Sequence, residues 1–347
     1  MKEEKMQNQN KNQTIEDILI KHNAKPYRYE QIYKALYQNP DVKAWEDMFT
    51  VPEEIRKDLA KTLGNEILTL NPKTTQKTGE TEKVLFETHD GHSIEAVKMH
   101  YENGRNSYCV STQSGCAMGC AFCATGQMGL KRNLTTDEIV DQVLYFAKQG
   151  YEVDNVVFMG MGEPFLNPAT FEALEIMTHK DMLNLGSRKV SVSTVGIIPG
   201  IHRMTKEFPQ INLAFSLHTP FQDQREKLMP VSKSYPVVAV MEALAEHIRV
   251  TNRKVFIAYI LLGGVTDSLE HAQALAGLIN SFEEAYLFHV NLINYHEVPG
   301  GKFKRCSEAS LERFRKALFD AGIRSTVRQD FGEGIDAACG QLGGEAS

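Results

Sequence analysis

The sequence predicts an α/β protein built on a partial (β/α)6 barrel of the TIM type, with a small helical domain before it. From about residue 102 onward, six short β-rich runs alternate with amphipathic helical segments, which is the pattern of a parallel sheet. Before that point, apolar residues recur at helical spacing. The longest unbroken apolar run, residues 255–262, is far shorter than the ~20 residues that a membrane span needs. A membrane-spanning protein is therefore excluded.

The N-terminal part of the chain is expected to hold a tail followed by a helical accessory domain. Residues 1–13 are polar and of low complexity, which is typical of a disordered tail. In residues 14–75, Ile15, Ile18 and Leu19 share one helical face, and Pro52 is placed to open a further helix. These patterns predict a small helical unit.

The barrel is expected to follow a short β extension. Residues 76–101 are predicted to form a hairpin, because two β-rich runs flank an Asp90-Gly91 turn. Residues 102–347 form the core, and Thr135 with Glu138 makes a capping box before its first long helix. The core strands are expected at residues 108–113, 155–160, 189–194, 211–217, 254–262 and 286–294. In such sheets the ligands bind at the carboxyl ends of the strands.

Composition indicates a cytoplasmic protein that does not coat nucleic acid by bulk charge. The N-terminus lacks the apolar segment of a secretory signal, and six cysteines are too few for a disulfide scaffold. With 38 basic and 44 acidic side chains, the net charge is −6, so attraction to a polyanion has to come from local patches. Residues 300–330 are such a patch, because Lys and Arg outnumber the acids there.

Three cysteines in the loop after the first core strand predict a metal centre. Cys116, Cys120 and Cys123 follow the spacing C-x3-C-x2-C. Three thiolates could bind zinc if a histidine supplied a fourth ligand, or three irons of a four-iron cluster. The nearest histidines in the sequence are His100 and His179, so we favour the cluster, whose fourth iron would remain open to an amino and carboxylate chelate.

Polar residues at three further strand ends are candidate ligand contacts. Gly160-Met-Gly162-Glu163 follows an apolar strand, but it lacks the third glycine of a dinucleotide fingerprint. The glycines would let the backbone approach a small ligand, and Glu163 could take its ammonium or ribose; the alternative is an ordinary turn with an exposed acid. Ser193 and Ser216-Leu217-His218 end two more strands, either as ligand contacts or as ordinary strand-terminal residues.

With these motifs, the sequence resembles the Cfr/RlmN family of radical S-adenosylmethionine (SAM) ribosomal RNA adenine methyltransferases. The resemblance extends from about Tyr27 to Asp336-Ala-Ala-Cys-Gly-Gln-Leu near the end. It is greater to the Cfr branch, through Arg253-Lys-Val-Phe-Ile-Ala-Tyr-Ile and the short tail after Cys339, although Gly162-Glu163-Pro164 is a form that is also common in the RlmN branch. The resemblance implies a radical SAM barrel, a [4Fe-4S] cluster and two SAM molecules per turnover.

The Cfr resemblance implies methylation of carbon 8 of adenosine 2503 in 23S rRNA, which gives resistance to antibiotics that bind the peptidyl-transferase centre. The RlmN reaction, at carbon 2 of the same adenosine and also on tRNA, is the alternative within the family. A non-catalytic, zinc-stabilised RNA-binding protein is the distant alternative. The implied partners are 23S rRNA before full ribosome assembly and an electron donor such as flavodoxin or ferredoxin, with no membrane. Candidate RNA contacts are residues 300–330, Lys131-Arg132, and the Tyr27-Arg28-Tyr29 segment.

The resemblance also implies a role for each site residue. Cys339 would be methylated by one SAM, and its S-methyl group would lose hydrogen to a 5′-deoxyadenosyl radical formed from the second SAM. The carbon radical would add to the adenine ring, Glu95 would accept a proton, and Cys109 would release the product by forming a disulfide with Cys339. From the residues alone, Cys109 and Cys339 could be buried hydrophobes. The implied ligands are, for the metal, Cys116, Cys120 and Cys123 and, for SAM, Gly162, Glu163, Ser193, Ser216, Leu217, His218 and His296, the last in place of a family asparagine.

Overall fold

The computed structural model describes residues 10–298, 300–332 and 334–343. Three helices open this part of the chain: α1 (Lys11–Lys21), α2 (Tyr27–Gln38) and α3 (Glu53–Leu63). Their shared core contains Ile15, Ile32 and Trp45, which are fully buried. Across the described residues, every helix is too short or too polar to cross a membrane.

The first helix begins earlier than the sequence predicted. Of the expected tail, residues 1–9 lie outside the described part, but residues 11–13 are helical and Asn10 caps them by accepting a hydrogen bond from the Gln13 N–H at 2.9 Å. Lys11 is only 3% exposed. Its Nζ lies 2.6 Å from Asp141 Oδ1 and 2.7 Å from the Ile67 carbonyl oxygen. The low-complexity segment is therefore helical from residue 11, and its lysine pairs with a buried carboxylate.

The extension has three strands, and it continues the main sheet. β2 (Thr81–Glu87) and β3 (Ser93–His100) form the predicted hairpin around the Asp90-Gly91 turn, where Gly91 has a φ of 80°. A further strand, β1 (Asn71–Thr78), pairs antiparallel with β2. Its sequence is polar and mostly exposed, so it lacks the apolar alternation that would have marked it as a strand.

The core is the predicted α/β partial barrel. All six expected parallel strands are present: β4 (Asn106–Cys109), β7 (Asn155–Phe158), β8 (Val190–Thr194), β9 (Asn212–Ser216), β10 (Val255–Leu261) and β11 (Phe288–Asn294). A seventh parallel strand, β12 (Ser325–Val327), pairs with β11 and is too short to leave a sequence pattern. The full order is β1-β2-β3-β4-β7-β8-β9-β10-β11-β12, so the sheet has two edges and does not close.

Helices cover the outside of this sheet, and the loops after its strands meet at one rim. The capping box is confirmed, since Glu138 N–H donates to Thr135 Oγ1 at 3.2 Å and Thr135 N–H to Glu138 Oε2 at 2.9 Å. A small sheet of β5 (Gln113–Gly115) and β6 (Leu130–Asn133) frames the cysteine loop. The remaining helices are α4 (Ala124–Gln127), α5 (Thr136–Ala147), α6 (Ala169–Thr178), α7 (Ile198–Glu207), α8 (Gln222–Leu228), α9 (Val237–Thr251), α10 (Leu269–Asn280) and α11 (Glu308–Asp320).

Candidate active site at the carboxyl ends of the strands

A cleft lies at the carboxyl ends of the parallel strands. This is the position at which sheets of this kind bind ligands. The loops after several different strands contribute to it. Ten of the residues predicted to form the site line it: Cys109, Cys116, Cys120, Cys123, Gly162, Glu163, Ser193, Ser216, His218 and Cys339.

The three loop cysteines are free thiols that face the cleft together. Burial raises the pKa of Cys116 to about 11 and raises that of Cys120 further, and the neighbouring thiols of Cys123 and Cys116 raise the Cys120 pKa as well. Thiols that disfavour one another's ionised form become stable as thiolates when a cation lies between them. The three Sγ atoms do not all lie within 4.8 Å of one another, so this donor set fits a cluster better than a single ion.

The histidine of the cleft is not available as a fourth metal ligand. His218 Nδ1 accepts a hydrogen bond from the Ile260 N–H at 3.0 Å, and burial lowers the pKa of His218 to about 3. The ring is therefore neutral and carries its proton on Nε2, where it can donate a hydrogen bond but offers no lone pair. Three thiols without such a partner fit a cluster with one open iron better than a closed zinc site.

Glu163 is a buried carboxyl whose oxygens are held by the loop after β8. It accepts hydrogen bonds from Thr194 Oγ1 at 2.8 Å, from the Val195 N–H at 2.9 Å and from the Phe165 N–H at 3.1 Å. Burial raises its pKa to about 7 despite these bonds. The alternative of an ordinary turn with an exposed acid is excluded, because Glu163 is 2% exposed. One acceptor position of the carboxylate remains for a ligand cation.

Gly162 and the two strand-end serines complete the ligand side of the cleft. Gly162 has a φ of 102°, and a Cβ there would lie 2.6 Å from Gln113 Cβ, so the position requires glycine. Ser193 Oγ and Ser216 Oγ are 3.2 Å apart, which brings the ends of β8 and β9 together. Their hydroxyls can donate to, or accept from, one polar ligand.

Two of the residues predicted to contact SAM do not line the cleft. The Leu217 side chain is buried in the core, while its backbone carbonyl accepts from Arg225 Nε at 2.9 Å. His296 Nε2 lies 3.2 Å from Asp330 Oδ1. The pairing with Asp330 directs the imidazole toward that carboxylate, so the structure does not bring it to the other ligand residues.

Cys109 and Cys339 both line the cleft, on segments other than those that carry the strand-end serines. Cys109 ends β4, whereas Cys339 is exposed in the C-terminal loop. Burial raises the pKa of Cys109 to about 12, the neighbouring Cys339 raises it too, and the positive charge of Arg328 lowers it. Both are free thiols here, so the expected disulfide is absent from this state. Cys109 packs against the core, but the exposure of Cys339 excludes the interpretation of both as buried hydrophobes.

The loop that carries Cys339 is held at several points. The Ala124 N–H donates to the Gly340 carbonyl at 2.8 Å, which ties the loop to the helix that follows Cys123. The Gly343 N–H donates to Glu95 Oε2 at 2.8 Å. Glu95 is 1% exposed and pairs with Lys83 at 3.0 Å. Glu95 therefore lies behind the loop and not among the residues that line the cleft.

Five of the cations predicted to contact RNA are paired with acids. Arg132 lies 2.6 Å from Asp90 Oδ2 and 2.7 Å from Glu138 Oε1. In residues 300–330, ion pairs join Lys304 to Glu297, Arg305 to Asp330, Arg315 to Glu312 and Lys316 to Asp320. Arg328 differs, because it lines the cleft and its Nη1 lies 3.3 Å from Met159 Sδ.

Two arginines were not predicted as functional residues: Arg328, which lines the cleft, and Arg225, which is buried behind it. Arg328 was counted only as one charge in a basic segment. Arg225 lies in α8 and is completely buried. Burial of an arginine is unusual, and its place in a short polar helix gave no sign of it. The only available signal was its position seven residues after His218, close to a predicted ligand loop.

Replacing His218 is expected to change the acid sensitivity of folding. Burial lowers the pKa of His218 from 6.5 to about 3 in the folded protein. Its contribution to the free energy of unfolding is therefore complete above pH 6.5, and it falls by up to ~1.4 kcal/mol per pH unit as the pH drops toward 3. His218→Asn tolerates the local φ of 61°. Urea unfolding of the metal-free protein between pH 4 and 7 should show that the free energy of unfolding of this variant falls less steeply with decreasing pH than that of the wild type. Equal pH dependences would contradict a buried, neutral His218.

Comparison with known proteins gives the family. Residues 110–276 match the profile of the Radical SAM superfamily. The chain is 46% identical to "Ribosomal RNA large subunit methyltransferase Cfr" of Lachnoclostridium phytofermentans, over 97% of this chain and 99% of the relative. The Cfr methyltransferase of Bacillus velezensis is 45% identical over 98% of each chain. The crystal structure of a radical SAM methyltransferase from Sphaerobacter thermophilus is 40% identical, with a TM-score of 0.90 over 97% of this chain and 98% of that one. This chain therefore belongs to the Cfr family of ribosomal RNA large subunit methyltransferases, within the radical SAM superfamily.

Proposed function

We propose that this SAM-dependent radical methyltransferase adds a methyl group to carbon 8 of adenosine 2503 in 23S rRNA. The observation that carries the proposal is the meeting of two kinds of cysteine in one cleft. Three thiols suited to an iron-sulfur centre face it together with Cys109 and Cys339. Direct methyl transfer from SAM would need neither set of cysteines. It is not available here, because the ring carbon of adenine is not a nucleophile that can attack a sulfonium methyl group.

The cleft supplies the groups that hold the cofactors. Cys116, Cys120 and Cys123 would bind three irons of the [4Fe-4S] cluster, leaving one iron for the amino and carboxylate groups of SAM. Gly162 would let the protein backbone approach SAM, and Glu163 would bind its ammonium group or a ribose hydroxyl. Ser193, Ser216 and the Nε2–H of His218 would bind further polar atoms of SAM. When bound, the cluster and SAM supply a carbon-centred radical.

The chain's own residues would then carry the methyl group and release the product. Cys339 accepts a methyl group on sulfur and presents it to the adenine. The adduct has to lose one electron, which the oxidised iron-sulfur centre would accept, and the proton of the ring carbon, for which Glu95 is the predicted acceptor. Because Glu95 lies behind the Cys339 loop in this structure, that loop has to move aside before Glu95 can act. The Cys109 thiolate attacks the Cys339 sulfur, so that an S–S bond forms as the S–C bond breaks and leaves its electron pair on carbon, which takes a proton. Arg328 supports this step, because its charge favours the Cys109 thiolate.

The substrate and its location follow from the same assignment. The target adenosine belongs to 23S rRNA before full assembly of the subunit, which places the reaction in the cytoplasm. An enzyme that modifies a base within structured RNA has to extrude that base, at a cost of a few kcal/mol. A small flavodoxin or ferredoxin would supply the electron. The helical domain and Arg328 are the surfaces that we assign to RNA.

Mass spectrometry of 23S rRNA nucleosides from cells with and without this protein tests the proposal. We expect a singly methylated adenosine whose fragmentation and retention match an 8-methyladenosine standard. A 2-methyladenosine product would assign the RlmN-type reaction to this chain instead. An unmodified adenosine in the presence of the folded, iron-loaded protein would overturn the proposal and favour RNA binding without catalysis.

Changing any of the three loop cysteines to alanine is expected to remove the iron centre. Anaerobically purified wild-type protein should hold close to four irons per chain, whereas the Cys116→Ala, Cys120→Ala and Cys123→Ala variants should hold few, because two thiolates cannot retain the cluster. Cys306→Ala is the matched control, since Cys306 is a buried free thiol outside the cleft. A full iron complement in a loop variant, or its loss in the control, would refute the ligand assignment.

A further inference from the structure

Arg225 is a fully buried cation held only by neutral groups. Its Nε donates to the Leu217 carbonyl at 2.9 Å, and its Nη2 donates to the carbonyls of Val195 at 2.8 Å and Ser216 at 2.9 Å. Its Nη1 bonds to Ser232 Oγ. Among the residues that the structure describes, no carboxylate lies within 4.0 Å of this guanidinium.

A buried charge without a counter-charge is an expensive arrangement. Carbonyl and hydroxyl oxygens satisfy the N–H donors of Arg225, but they do not cancel its charge, and proteins normally pair a buried arginine with an acid. Burial lowers the pKa of Arg225 only to about 10, so the side chain remains positive at neutral pH. Within the part of the chain that the structure describes, no carboxylate pairs directly with this positive charge.

The position of Arg225 indicates which negative charge balances it. Its helix, α8, is bonded to the cysteine loop, because the Ala121 N–H donates to the Leu228 carbonyl at 2.9 Å. Cys120 packs in one cluster with Leu228 and Met229. The carbonyls of Val195 and Ser216, to which Arg225 donates, belong to residues that line the same cleft as Cys120. The guanidinium is therefore placed to interact with the thiolates that would bind iron.

We propose that Arg225 is a positioning residue for the iron-sulfur centre, whose buried charge balances that of the thiolate-bound cluster and favours its reduced form. Reduction adds one electron to a site that already carries thiolates, and a fixed cation in a low-dielectric interior stabilises the more negative state. This inference rests on the cluster assignment, which the iron content of the cysteine variants tests separately.

A matched pair of variants at Ser232 tests the role of the charge while keeping Arg225. Ser232→Asp places a carboxylate against the guanidinium, whereas Ser232→Asn places a neutral side chain of nearly the same size there. Redox titration of the anaerobically loaded proteins, followed by electron paramagnetic resonance without RNA, should show reduction about tenfold less favourable in the Asp variant than in the Asn variant. For one electron, this corresponds to about 59 mV. Equal midpoint potentials would overturn the proposal.

Replacement of Arg225 itself gives a second, independent measurement. Arg225→Met removes the charge and Arg225→Lys keeps it, so the Met variant alone should show the lower potential or fail to retain iron. Equal shifts in both would assign Arg225 a purely structural role and overturn the proposal. If neither Ser232 variant retains iron, this comparison decides; if Arg225→Met does not fold, the Ser232 pair decides. Full iron with an unchanged potential in Arg225→Met would also overturn it.

Discussion

Cys339→Ala is expected to retain the iron centre and to transfer no methyl group to RNA. The first methyl transfer ends on the Cys339 sulfur, so the variant has no acceptor, and methylated adenosine should fall by at least about 10³-fold. The cluster ligands lie on a different segment, and iron content should therefore match that of the wild type. Tritium from labelled SAM, counted in the RNA, measures the loss.

Cys306→Ala again serves as the control, because it removes a thiol outside the cleft and should methylate RNA at the wild-type rate. Mass spectrometry of wild-type tryptic peptides should find the methyl group on the peptide that contains Cys339. Methylated RNA in normal amounts from Cys339→Ala would show that another group carries the methyl, and the assignment of Cys339 would be withdrawn.

Unlike Cys339→Ala, the Cys109→Ala variant is expected to react with RNA and then to remain covalently attached to it. The carrier is intact in this variant, so the carbon radical can still add to the adenine ring. No thiolate is then placed to open the bond between Cys339 and the base. Most of the RNA that reacts should migrate with the protein on a denaturing gel, where wild-type enzyme leaves it free.

Nuclease digestion of that conjugate should leave a nucleotide on the peptide that contains Cys339. The double variant Cys109→Ala/Cys339→Ala provides the control, since it has no carrier and should form no conjugate. Normal release of methylated RNA from Cys109→Ala would show that the two thiols do not divide the work in this way.

The sequence predicted the barrel well because its strands have a strong apolar pattern. The strands at residues 155–160 and 254–262 are apolar over most of their length, and continuous apolar runs mark the strands of a parallel sheet that is covered on both faces. β1 and β12 were missed because one is polar and the other has three residues. The order of Lys11–Gln13 depends on Asp141, which is 130 positions away, and a local pattern contains no such information.

For the site, the spacing of Cys116, Cys120 and Cys123 was informative because the ligands lie within eight residues of one another. Leu217 and His296 were carried over as ligand contacts by position, yet the Leu217 side chain packs into the core and His296 pairs with Asp330. The buried charge of Arg225 could not be predicted either. The sequence shows that residue 225 is an arginine, but whether its charge is buried and unpaired depends on the neighbours that the tertiary fold places around it.

The hydrogen bond from the Ala124 N–H to the Gly340 carbonyl joins one peptide after Cys123 to one peptide after Cys339. Damage to the metal-binding loop by air would therefore disturb the methyl carrier as well, and an oxidised preparation should lose both functions together. Repair with iron and sulfide would have to come before any attempt to remethylate Cys339. An insertion on either side of this bond should separate Cys339 from the cysteine loop and reduce methyl transfer.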